Sequence, residues 1–327
     1  MHYRQLGGSG LHVSLLGLGT NSFGKRADQA ASTRILHYAL DQGINFIDTA
    51  NIYAGTESER IIGEALRGKR QQVVLATKAG LVSGSGPNER GSSRYHLQQE
   101  LEQSLRRLQT DYVDLYQIHT FDPNTRLEET LRTLDDLISS GKVRYIGASN
   151  YAAWELMKAL GISEQRGYER YVSTQTSYSL ADRTPERELV PVCADQGVGI
   201  IPYFPLAGGI LSGKYGSGEA VPAASRAETD PSFSRFLEPR YLQLGQQLAL
   251  QAAAQQQSSS SLALAWLMRR PAVSTVIVGA TSVEQLEDNI RSVALAADDT
   301  MDSLWTALDE LSEPFIYGKP FAEYRLP

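Results

Sequence analysis

The stretch INFIDTANIYAGTESERIIGEAL, residues 44–66, joins a short apolar run to an amphipathic helical pattern. The run INFID has the length and composition of a buried strand, and apolar residues recur at helical spacing towards the end of the stretch. Asp48 ends this strand, and Tyr53 follows in the connection to the helix. Because a carboxylate in an apolar setting is costly unless a partner stabilises its charge, the stretch predicts a polar site at the carboxyl end of a buried strand.

The same unit recurs along the whole chain, since eight apolar runs alternate with longer amphipathic stretches, as βαβ units require. The runs cover residues 13–19, 44–48, 73–78, 112–119, 143–149, 171–175, 198–204 and 273–279. Eight parallel strand–helix units predict a (β/α)8 TIM barrel of the α/β class. An open doubly wound sheet is the rival fold, but it seldom contains eight regular repeats. We expect residues 1–327 to form one domain, because barrels of this length often remain undivided.

Four segments depart from a plain barrel. The first ten residues, MHYRQLGGSG, predict an extra hairpin with GGSG as its turn, closing the bottom of the barrel. Residues 212–240 form a long insertion after strand seven that is rich in Gly, Pro and Ser, and its basic residues Lys214 and Arg226 favour a lid over a disordered segment. Residues 244–261 predict an added helix followed by a Ser-rich connection. The tail covers residues 297–327.

Local signals mark two helix ends. Gly141 follows the fourth helical pattern, where a left-handed residue commonly ends a helix. Ser282 precedes the eighth helix and Gln285 follows three residues later, which is the spacing of a capping box.

The overall charge and the apolar segments narrow the class of protein. A formal net charge of −6 and a pI near 5.5 argue against a general nucleic-acid binder and against binding to anionic membranes. The N-terminus lacks the pattern of a signal peptide, and no apolar run approaches the roughly 20 residues that cross a bilayer. We therefore expect a cytoplasmic protein; the oligomeric state is left open.

Cys193 is the only cysteine in the chain. A single cysteine excludes disulfides and cysteine-based metal clusters within one chain. Its surroundings, LVPVCADQG, predict a buried helical position with a packing role.

Polar residues end several of the predicted strands. In a (β/α)8 barrel the carboxyl ends of all strands meet on one face, where the chemistry takes place. The residues that this rule brings together are Asp48, Lys78, His119, Ser149, Asn150 and Gln175, with Tyr53 in the loop after strand two. We expect Asp48 to pair with Lys78 from the neighbouring strand, so that each charge stabilises the other.

This set is suited to protonating an oxygen that develops negative charge, such as a carbonyl that accepts hydride. A phenol has a pKa of about 10, and we expect the Lys78 ammonium to lower that of Tyr53, making it a better general acid. His119 would donate a second hydrogen bond to the same oxygen. Taken singly, these residues are also compatible with a structural salt bridge, a packing tyrosine and a core histidine.

Two common motifs are missing from the sequence. The five histidines are scattered, without HExxH or another paired spacing, so no metal site is predicted. The stretch GLGTNSFG has a serine in place of the third glycine of a dinucleotide fingerprint, and no helix is predicted to begin there. A nicotinamide cofactor would therefore not be held in the Rossmann manner.

The motifs together resemble the aldo-keto reductases, NADPH-dependent (β/α)8-barrel oxidoreductases. The motifs are GINFIDTANIYAGTESERIIGEAL, ATKAG, DLYQIHTFDP, IGASN, YFPLAGGILSGKY and VGATSVEQLEDN, in the family's order. The resemblance implies a catalytic tetrad of Asp48, Tyr53, Lys78 and His119, acting on a small-molecule carbonyl substrate. It also implies transfer of the 4-pro-R hydride.

The resemblance further implies a set of cofactor contacts. Ser149, Asn150 and Gln175 would bind the nicotinamide carboxamide, and Tyr203 would stack on the ring. The remaining contacts fall in three groups: Thr20 and Asn21 beside the ribose and ring, Phe204, Pro205, Leu206, Lys214 and Arg226 along the phosphates, and Gly279, Thr281, Gln285, Asp288 and Asn289 around the adenosine. Basic residues such as Lys214 and Arg226 favour binding of a 2′-phosphate, so NADPH (NADP+) is expected in preference to NADH.

Some positions depart from the commonest family pattern. Phe204 replaces a frequent serine, and Ala54 stands where glycine is often found. The channel-associated beta subunits of the family carry asparagine at the position of His119, although the long insertion and the GASN motif place this chain nearer to them and to bacterial reductases than to vertebrate aldose reductases. Two other functions therefore stay open: an NADPH-binding regulatory or redox-sensor subunit, and an aldolase-like barrel with Lys78 as a Schiff-base lysine.

The sequence does not name the substrate. We expect specificity to reside in Phe23, the loops after strands one and four, the insertion and the tail. The tail's aromatic residues, Phe315, Tyr317, Phe321 and Tyr324, either line a substrate pocket or pack against the barrel.

Overall fold

The computed structural model describes residues 1–215, 228, 233, 237–320, 322 and 324–326. Two short strands, β1 (Tyr3–Gln5) and β2 (His12–Ser14), pair in antiparallel fashion. Eight further strands follow along the chain: β3 (Leu16–Gly19), β4 (Phe46–Asp48), β5 (Val74–Ala79), β6 (Val113–Ile118), β7 (Val143–Ser149), β8 (Tyr171–Ser177), β9 (Gly199–Tyr203) and β10 (Val276–Gly279).

These eight strands form a nearly closed barrel. Each strand from β3 to β8 pairs in parallel with the next, and β10 pairs in parallel with β3. The ring closes between β9 and the residues before β10, where the Ile200 N–H donates to the carbonyl of Ala272 at 2.8 Å and the Ser274 N–H donates to the carbonyl of Ile200 at 3.0 Å. The predicted (β/α)8 barrel is confirmed.

Ten helices lie between or after the strands. They are α1 (Gln29–Asp41), α2 (Glu57–Ala65), α3 (Arg94–Leu108), α4 (Leu127–Ser139), α5 (Ala153–Arg166), α6 (Leu189–Gln196), α7 (Pro239–Ala254), α8 (Ser259–Met268), α9 (Val283–Ala296) and α10 (Asp302–Ser312), within the described ranges. Their apolar faces pack on the outside of the sheet and form the main hydrophobic core. Cys193 is buried in α6, as expected.

The N-terminal hairpin closes the bottom of the barrel, but it is longer than predicted. The apolar run 13–19 is split, because its first residues belong to β2 and only Leu16–Gly19 joins the barrel. Leu6 and Val13 are completely buried against Phe46 and Leu115 inside the barrel. The hairpin thus supplies the apolar plug that the lower ends of the barrel strands need.

The prediction of a Ser-rich connection after the added helix is wrong. The Ser258 hydroxyl accepts from the backbone N–H of Ser261 and caps α8, whose first residues are serines. A serine is favoured at this cap, and the apolar sequence that follows supplies the buried face of the helix.

The prediction of a capping box at the start of α9 is confirmed for one of its two hydrogen bonds. The Ser282 hydroxyl accepts from the N–H of Gln285 as predicted, but the Gln285 side chain accepts from the N–H and hydroxyl of Thr281. Gly141 follows α4 with a φ of +78°, which confirms the predicted helix end. Most of the 212–240 insertion, including Arg226, lies outside the described residues.

Candidate active site

The upper layer of the barrel interior is polar, whereas the layers below it are apolar. Side chains alternate along a strand, so Asp48 faces inward above Phe46, and Lys78 faces inward above Ala76. Lys78 stands in register with Gln117, and Ser149 stands in register with Gln175. The parallel register therefore gathers these side chains at one end of the barrel.

Asp48 and Lys78 form a buried ion pair at the centre of this layer. Lys78 Nζ lies 2.6 Å from Asp48 Oδ2 and also donates to the carbonyl of Thr49 at 2.9 Å and to the Tyr53 hydroxyl at 3.2 Å. Burial alone would lower the pKa of Lys78, but the Asp48 carboxylate and the Tyr53 hydroxyl outweigh it, and the net pKa is raised. The ammonium therefore stays charged, and its three hydrogen bonds fix its direction.

The second oxygen of Asp48 is held by two amides. Oδ1 accepts from Gln175 Nε2 at 2.8 Å and from Gln117 Nε2 at 3.2 Å. Sequence reasoning missed Gln117. The signal was present, because Gln117 precedes His119 by two residues in YVDLYQIH and alternation places both on the same side of the strand.

Tyr53 begins a short 3-10 turn, Tyr53–Thr56, between β4 and α2. Ala54, Gly55 and Thr56 all have left-handed backbone conformations, with φ of 51°, 63° and 82°. The conformation of Ala54 explains why glycine is favoured at this position, since a left-handed backbone strains any residue that has a Cβ.

The pKa of Tyr53 is raised, contrary to the expectation of a lowered value. Desolvation of the phenol by burial raises it more than the nearby Lys78 ammonium lowers it, and the Asp48 carboxylate adds to the upward shift. Burial disfavours the phenolate because a charge loses the stabilisation that water provides. Tyr53 is thus a protonated phenol at neutral pH.

His119 follows β6 and lies beside Tyr53. The two ring centroids are 6.0 Å apart in an edge-on arrangement. Burial and the Lys78 charge hold the pKa of His119 well below its usual value, so the imidazole is neutral. Its Nδ1 is buried and has no hydrogen-bond partner within the described part of the chain.

Ser149, Asn150 and Tyr203 form a hydrogen-bonded group next to His119. Asn150 Nδ2 donates to the carbonyl of His119 at 2.8 Å and to Ser149 Oγ at 3.0 Å. Asn150 Oδ1 accepts from the Tyr203 hydroxyl at 2.7 Å. Both amide hydrogens of Asn150 therefore donate to neighbouring protein groups, and its Oδ1 accepts one hydrogen bond.

The end of the C-terminal tail, beyond α10, lies at the mouth of the barrel. The Tyr203 hydroxyl oxygen lies 3.2 Å from the carbonyl oxygen of Ala322, and Thr120 Oγ1 donates to the carbonyl of Tyr324 at 2.7 Å. Arg325 pairs with a Glu155 oxygen at 2.9 Å.

The tail's aromatic residues take different positions. The ring of Tyr324 lies 6.0 Å from that of Tyr203, at the site. Phe315 instead stacks on Tyr241 of α7, and Tyr317 is exposed. Phe321 lies outside the described residues. Phe23, expected near the substrate, is completely buried in the hydrophobic core.

The predicted residues of strands one and eight lie at an adjacent edge. Thr20 is buried, and its hydroxyl donates to the carbonyl of Asp48 at 2.8 Å, whereas Asn21 is exposed near Gly279. The remaining members of the group, Thr281, Gln285, Asp288 and Asn289, lie around the start of α9. Asp288 accepts from Ser258, the cap of α8, at 2.8 Å.

The loop after β9 has an unusual backbone. Phe204 and Ala207 have φ of 52° and 47°, and Pro205 and Leu206 lie between them. A Cβ at Gly209 would lie 2.5 Å from Lys214 Cε, so the exposed Lys214 folds back against this loop.

The described residues contain neither a membrane-spanning helix nor a cluster of metal ligands. None of their helices is both long and apolar enough to cross a membrane. No group of three or more His, Cys, Asp or Glu side chains among them is arranged to hold a metal ion.

The fold is a (β/α)8 barrel with a buried polar cluster at the carboxyl ends of its strands. The model of the Aldo/keto reductase family matches residues 15–310. The chain belongs to this family and is an oxidoreductase. The family acts on small carbonyl compounds and typically uses NAD(P)H.

Three relatives illustrate where the chain stands within the family. It is 41% identical over 310 residues to the uncharacterized oxidoreductase YrpG of Bacillus subtilis, covering 91% of this chain and 93% of the relative. It is 33% identical over 337 residues to a probable voltage-gated potassium channel subunit beta of Arabidopsis thaliana, covering 98% of each chain. It is 36% identical over 337 residues to the aldo-keto reductase AMT2 of Alternaria alternata, covering 92% of this chain and 89% of the relative.

Proposed function

We propose that this protein reduces a small aldehyde or ketone to the alcohol with NADPH, reversibly, and that Tyr53 donates the proton. The contact of 3.2 Å between Lys78 Nζ and the Tyr53 hydroxyl carries this proposal. It joins a proton donor to a fixed positive charge in a buried setting.

The raised pKa of Tyr53 suits this role. The phenol keeps its proton in the resting enzyme, and the proton leaves only when the carbonyl oxygen gains negative charge. Lys78 then stabilises the phenolate that remains, and Asp48 keeps Lys78 in place. A positive charge directed at the atom where negative charge develops stabilises the transition state most strongly in a site shielded from water.

His119 supplies the second contact to the carbonyl oxygen in this proposal. A neutral imidazole carries one N–H and one acceptor nitrogen, so it can donate a hydrogen bond without surrendering a proton. The closeness of the His119 and Tyr53 rings, whose centroids are 6.0 Å apart, supports this pairing of donors.

The residues around Ser149 and Gln175 fit a nicotinamide carboxamide. Both hydrogens of Gln175 Nε2 point towards Asp48 and Gln117, which leaves its Oε1 as an acceptor, and Ser149 keeps a hydroxyl hydrogen to donate. A carboxamide offers the complementary pair, one N–H donor and one carbonyl acceptor. The bound cofactor would supply the hydride. Asn150 would also hold Ser149 and Tyr203 in place through its own hydrogen bonds.

The rest of the cofactor would follow the mouth of the barrel. Tyr203 would flank the ring, and the loop after β9, with Phe204, Pro205 and Leu206, would follow the phosphates. Thr281, Gln285, Asp288 and Asn289 at the start of α9 would surround the adenosine, in line with the phosphate sites that barrels build after strands seven and eight. Lys214 and Arg226 motivate the preference for NADPH over NADH.

The test is the substitution Tyr53→Phe, assayed with NADPH and a panel of carbonyl substrates. Removing the general acid should lower kcat by about 10²–10⁴-fold, while the Kd of NADPH measured by fluorescence stays unchanged. Tyr116→Phe is the matched control, because the buried Tyr116 hydroxyl donates only to the carbonyl of Leu97 in the described structure. Undiminished turnover in Tyr53→Phe would refute the proposal.

A second candidate function is an NADPH-binding regulatory subunit with slow turnover. The similarity to the probable potassium channel subunit beta favours it. Such a subunit should oxidise NADPH slowly with every carbonyl compound in the panel, whereas an enzyme should show a strong preference for some. The third option, a Schiff-base lysine, is disfavoured because the raised pKa of Lys78 keeps the amine protonated and non-nucleophilic.

A further inference from the structure

The side-chain amide of Gln117 is wholly buried at the centre of the site. The roles proposed for the four catalytic residues do not explain why it is there. We infer that Gln117 is a positioning residue, which holds the Asp48 carboxylate towards Lys78 and sets the orientation of the Gln175 amide. The inference rests on the proposed function, since positioning is defined by the reaction that it serves.

The two oxygens of Asp48 have different partners. Oδ2 faces Lys78 Nζ at 2.6 Å, and Oδ1 accepts from the amides of Gln175 and Gln117 at 2.8 and 3.2 Å. With both amides on one oxygen, the carboxylate cannot rotate without losing them. The direction of Lys78, and through it the contact with Tyr53, thus depends on Gln117.

Gln117 also fixes which way the Gln175 amide points. The Nε2 atom of Gln117 must face the Asp48 carboxylate, because the Gln117 carbonyl oxygen would be repelled by the negative charge there. Its Oε1 then faces Gln175 Nε2 at 3.4 Å. Gln175 therefore directs both amide hydrogens into the protein and leaves Oε1 as the acceptor for a ligand.

The neighbouring strand leaves room for this side chain. Gly147 stands in register with Gln117, and a Cβ at Gly147 would lie 3.3 Å from Gln117 Cγ and 2.7 Å from Ser173 Oγ. A side chain larger than that of glycine would displace Gln117 or Ser173. The glycine of the IGASN motif thus leaves the space that the Gln117 side chain occupies.

Burying an amide is costly unless hydrogen bonds replace the lost water. An apolar residue of the same length would fill this space without that cost, so a purely packing role does not explain the amide. Hydrogen bonds to charged groups are among the stronger ones in proteins. Losing one here should affect the chemical step more than substrate binding.

The experiment compares Gln117→Met, Gln117→Glu and Ser173→Ala in the full chain. Methionine keeps the length and removes the hydrogen bonds. Glutamate places a second carboxylate beside Asp48. Ser173→Ala is the matched control, because Ser173 lies on the same interior face and its Oγ has no partner in the described structure.

We expect Gln117→Met to lower kcat by about tenfold to a hundredfold, to weaken NADPH binding several-fold and to leave the KM of the carbonyl substrate nearly unchanged. Ser173→Ala should keep all three values. Urea denaturation of each variant shows whether the fold is retained.

Gln117→Glu gives a readout that packing would not change. The charged groups facing position 117 are Asp48 on β4 and Lys78 on β5, with Tyr53 beyond Lys78. His119, just after β6, is neutral. As pH falls, the introduced carboxyl group takes up a proton and regains a donor for Asp48, so kcat of this variant should rise towards acid pH by about tenfold. Wild type and Gln117→Met should show no such rise.

Suppose that the wild type is active. Unchanged kcat in Gln117→Met, or no rise of kcat at acid pH in Gln117→Glu, would then overturn this inference but not the proposed function. A wild type without any carbonyl-dependent oxidation of NADPH would overturn the proposed function and this inference with it.

Discussion

Lys78 Nζ lies 2.6 Å from Asp48 Oδ2, in a pair whose members are both almost completely buried. Removing one partner of a buried ion pair leaves an uncompensated charge. We therefore expect Lys78→Met to lower the free energy of unfolding by about 3–5 kcal/mol, measured by urea denaturation. The double variant Asp48→Asn/Lys78→Met should recover part of that loss.

The control for this prediction is the exposed pair of Arg132 and Asp136 on α4. Arg132→Ala should destabilise the protein far less than Lys78→Met, because water and salt screen an exposed pair. Equal losses at the buried and exposed pairs would contradict the argument.

The pH dependence of turnover follows from the shifted pKa values of Tyr53 and His119. Reduction needs the protonated phenol, and burial raises the pKa of Tyr53 above its ordinary value of about 10. Reduction should therefore be flat through neutral pH and fall only above about pH 10. Because the pKa of His119 is lowered, its titration should cause no change between about pH 7 and 9.

Alcohol oxidation uses the phenolate as the base, so its rate should rise with pH over the range in which reduction is flat. Initial rates in both directions, measured across a buffer series, check this prediction. A reduction rate that falls near pH 7 would show that the phenol is activated by a lowered pKa instead.

The left-handed backbone of Ala54 predicts a stabilising substitution. Relief of the strain by Ala54→Gly should exceed the added freedom of the unfolded chain, for a net gain of about 0.5–1 kcal/mol. Thermal unfolding measures it. The control is Ala249→Gly within helix α7, which should lose about 1 kcal/mol. A loss of stability in both variants would contradict the prediction.

The proposed preference for NADPH predicts an unequal effect of Arg226→Ala. If Arg226 binds the 2′-phosphate, the KM of NADPH should rise by about tenfold or more, and the KM of NADH should hardly change. Lys214→Ala should have the same sign, and the exposed Lys158 of α5 provides the control. Equal effects on the two cofactors would refute a role in selecting NADPH.

Tyr324 predicts a role of the tail in substrate binding. Its ring faces Tyr203 and its carbonyl is bound by Thr120, next to His119. Tyr324→Ala should raise the KM of bulky carbonyl substrates several-fold and change kcat less, because it removes a contact and leaves the proton donor. Tyr317→Ala, at a tail residue with 71% exposure, should have no effect. Matching KM values in the two variants would argue against this role.

Much of the architecture was predictable from the sequence. Strands in a barrel are buried on both faces, so their apolar runs are visible one after another, and the barrel rule places their last residues on one face. Asp48, Lys78 and His119 could be found in this way because each stands at or next to the end of such a run. The hairpin was foreseen, but its second strand was hidden because the run 13–19 reads as continuous.

The tertiary structure decided how the polar groups share their hydrogen bonds. Gln117 belongs to an apolar run, and only the register of β6 against β5 and β7 shows that it reaches Asp48. The last residues of the tail, after α10, carry no periodic pattern, so their path past Tyr203 and Thr120 follows from distant contacts. The predicted direction of the Tyr53 pKa shift was wrong for a similar reason. The sequence indicates the charged neighbour, Lys78, whereas desolvation depends on all the groups that pack around the phenol. Local pattern fixes which residues come to the mouth of this barrel, and the three-dimensional packing fixes what each of them is able to do there.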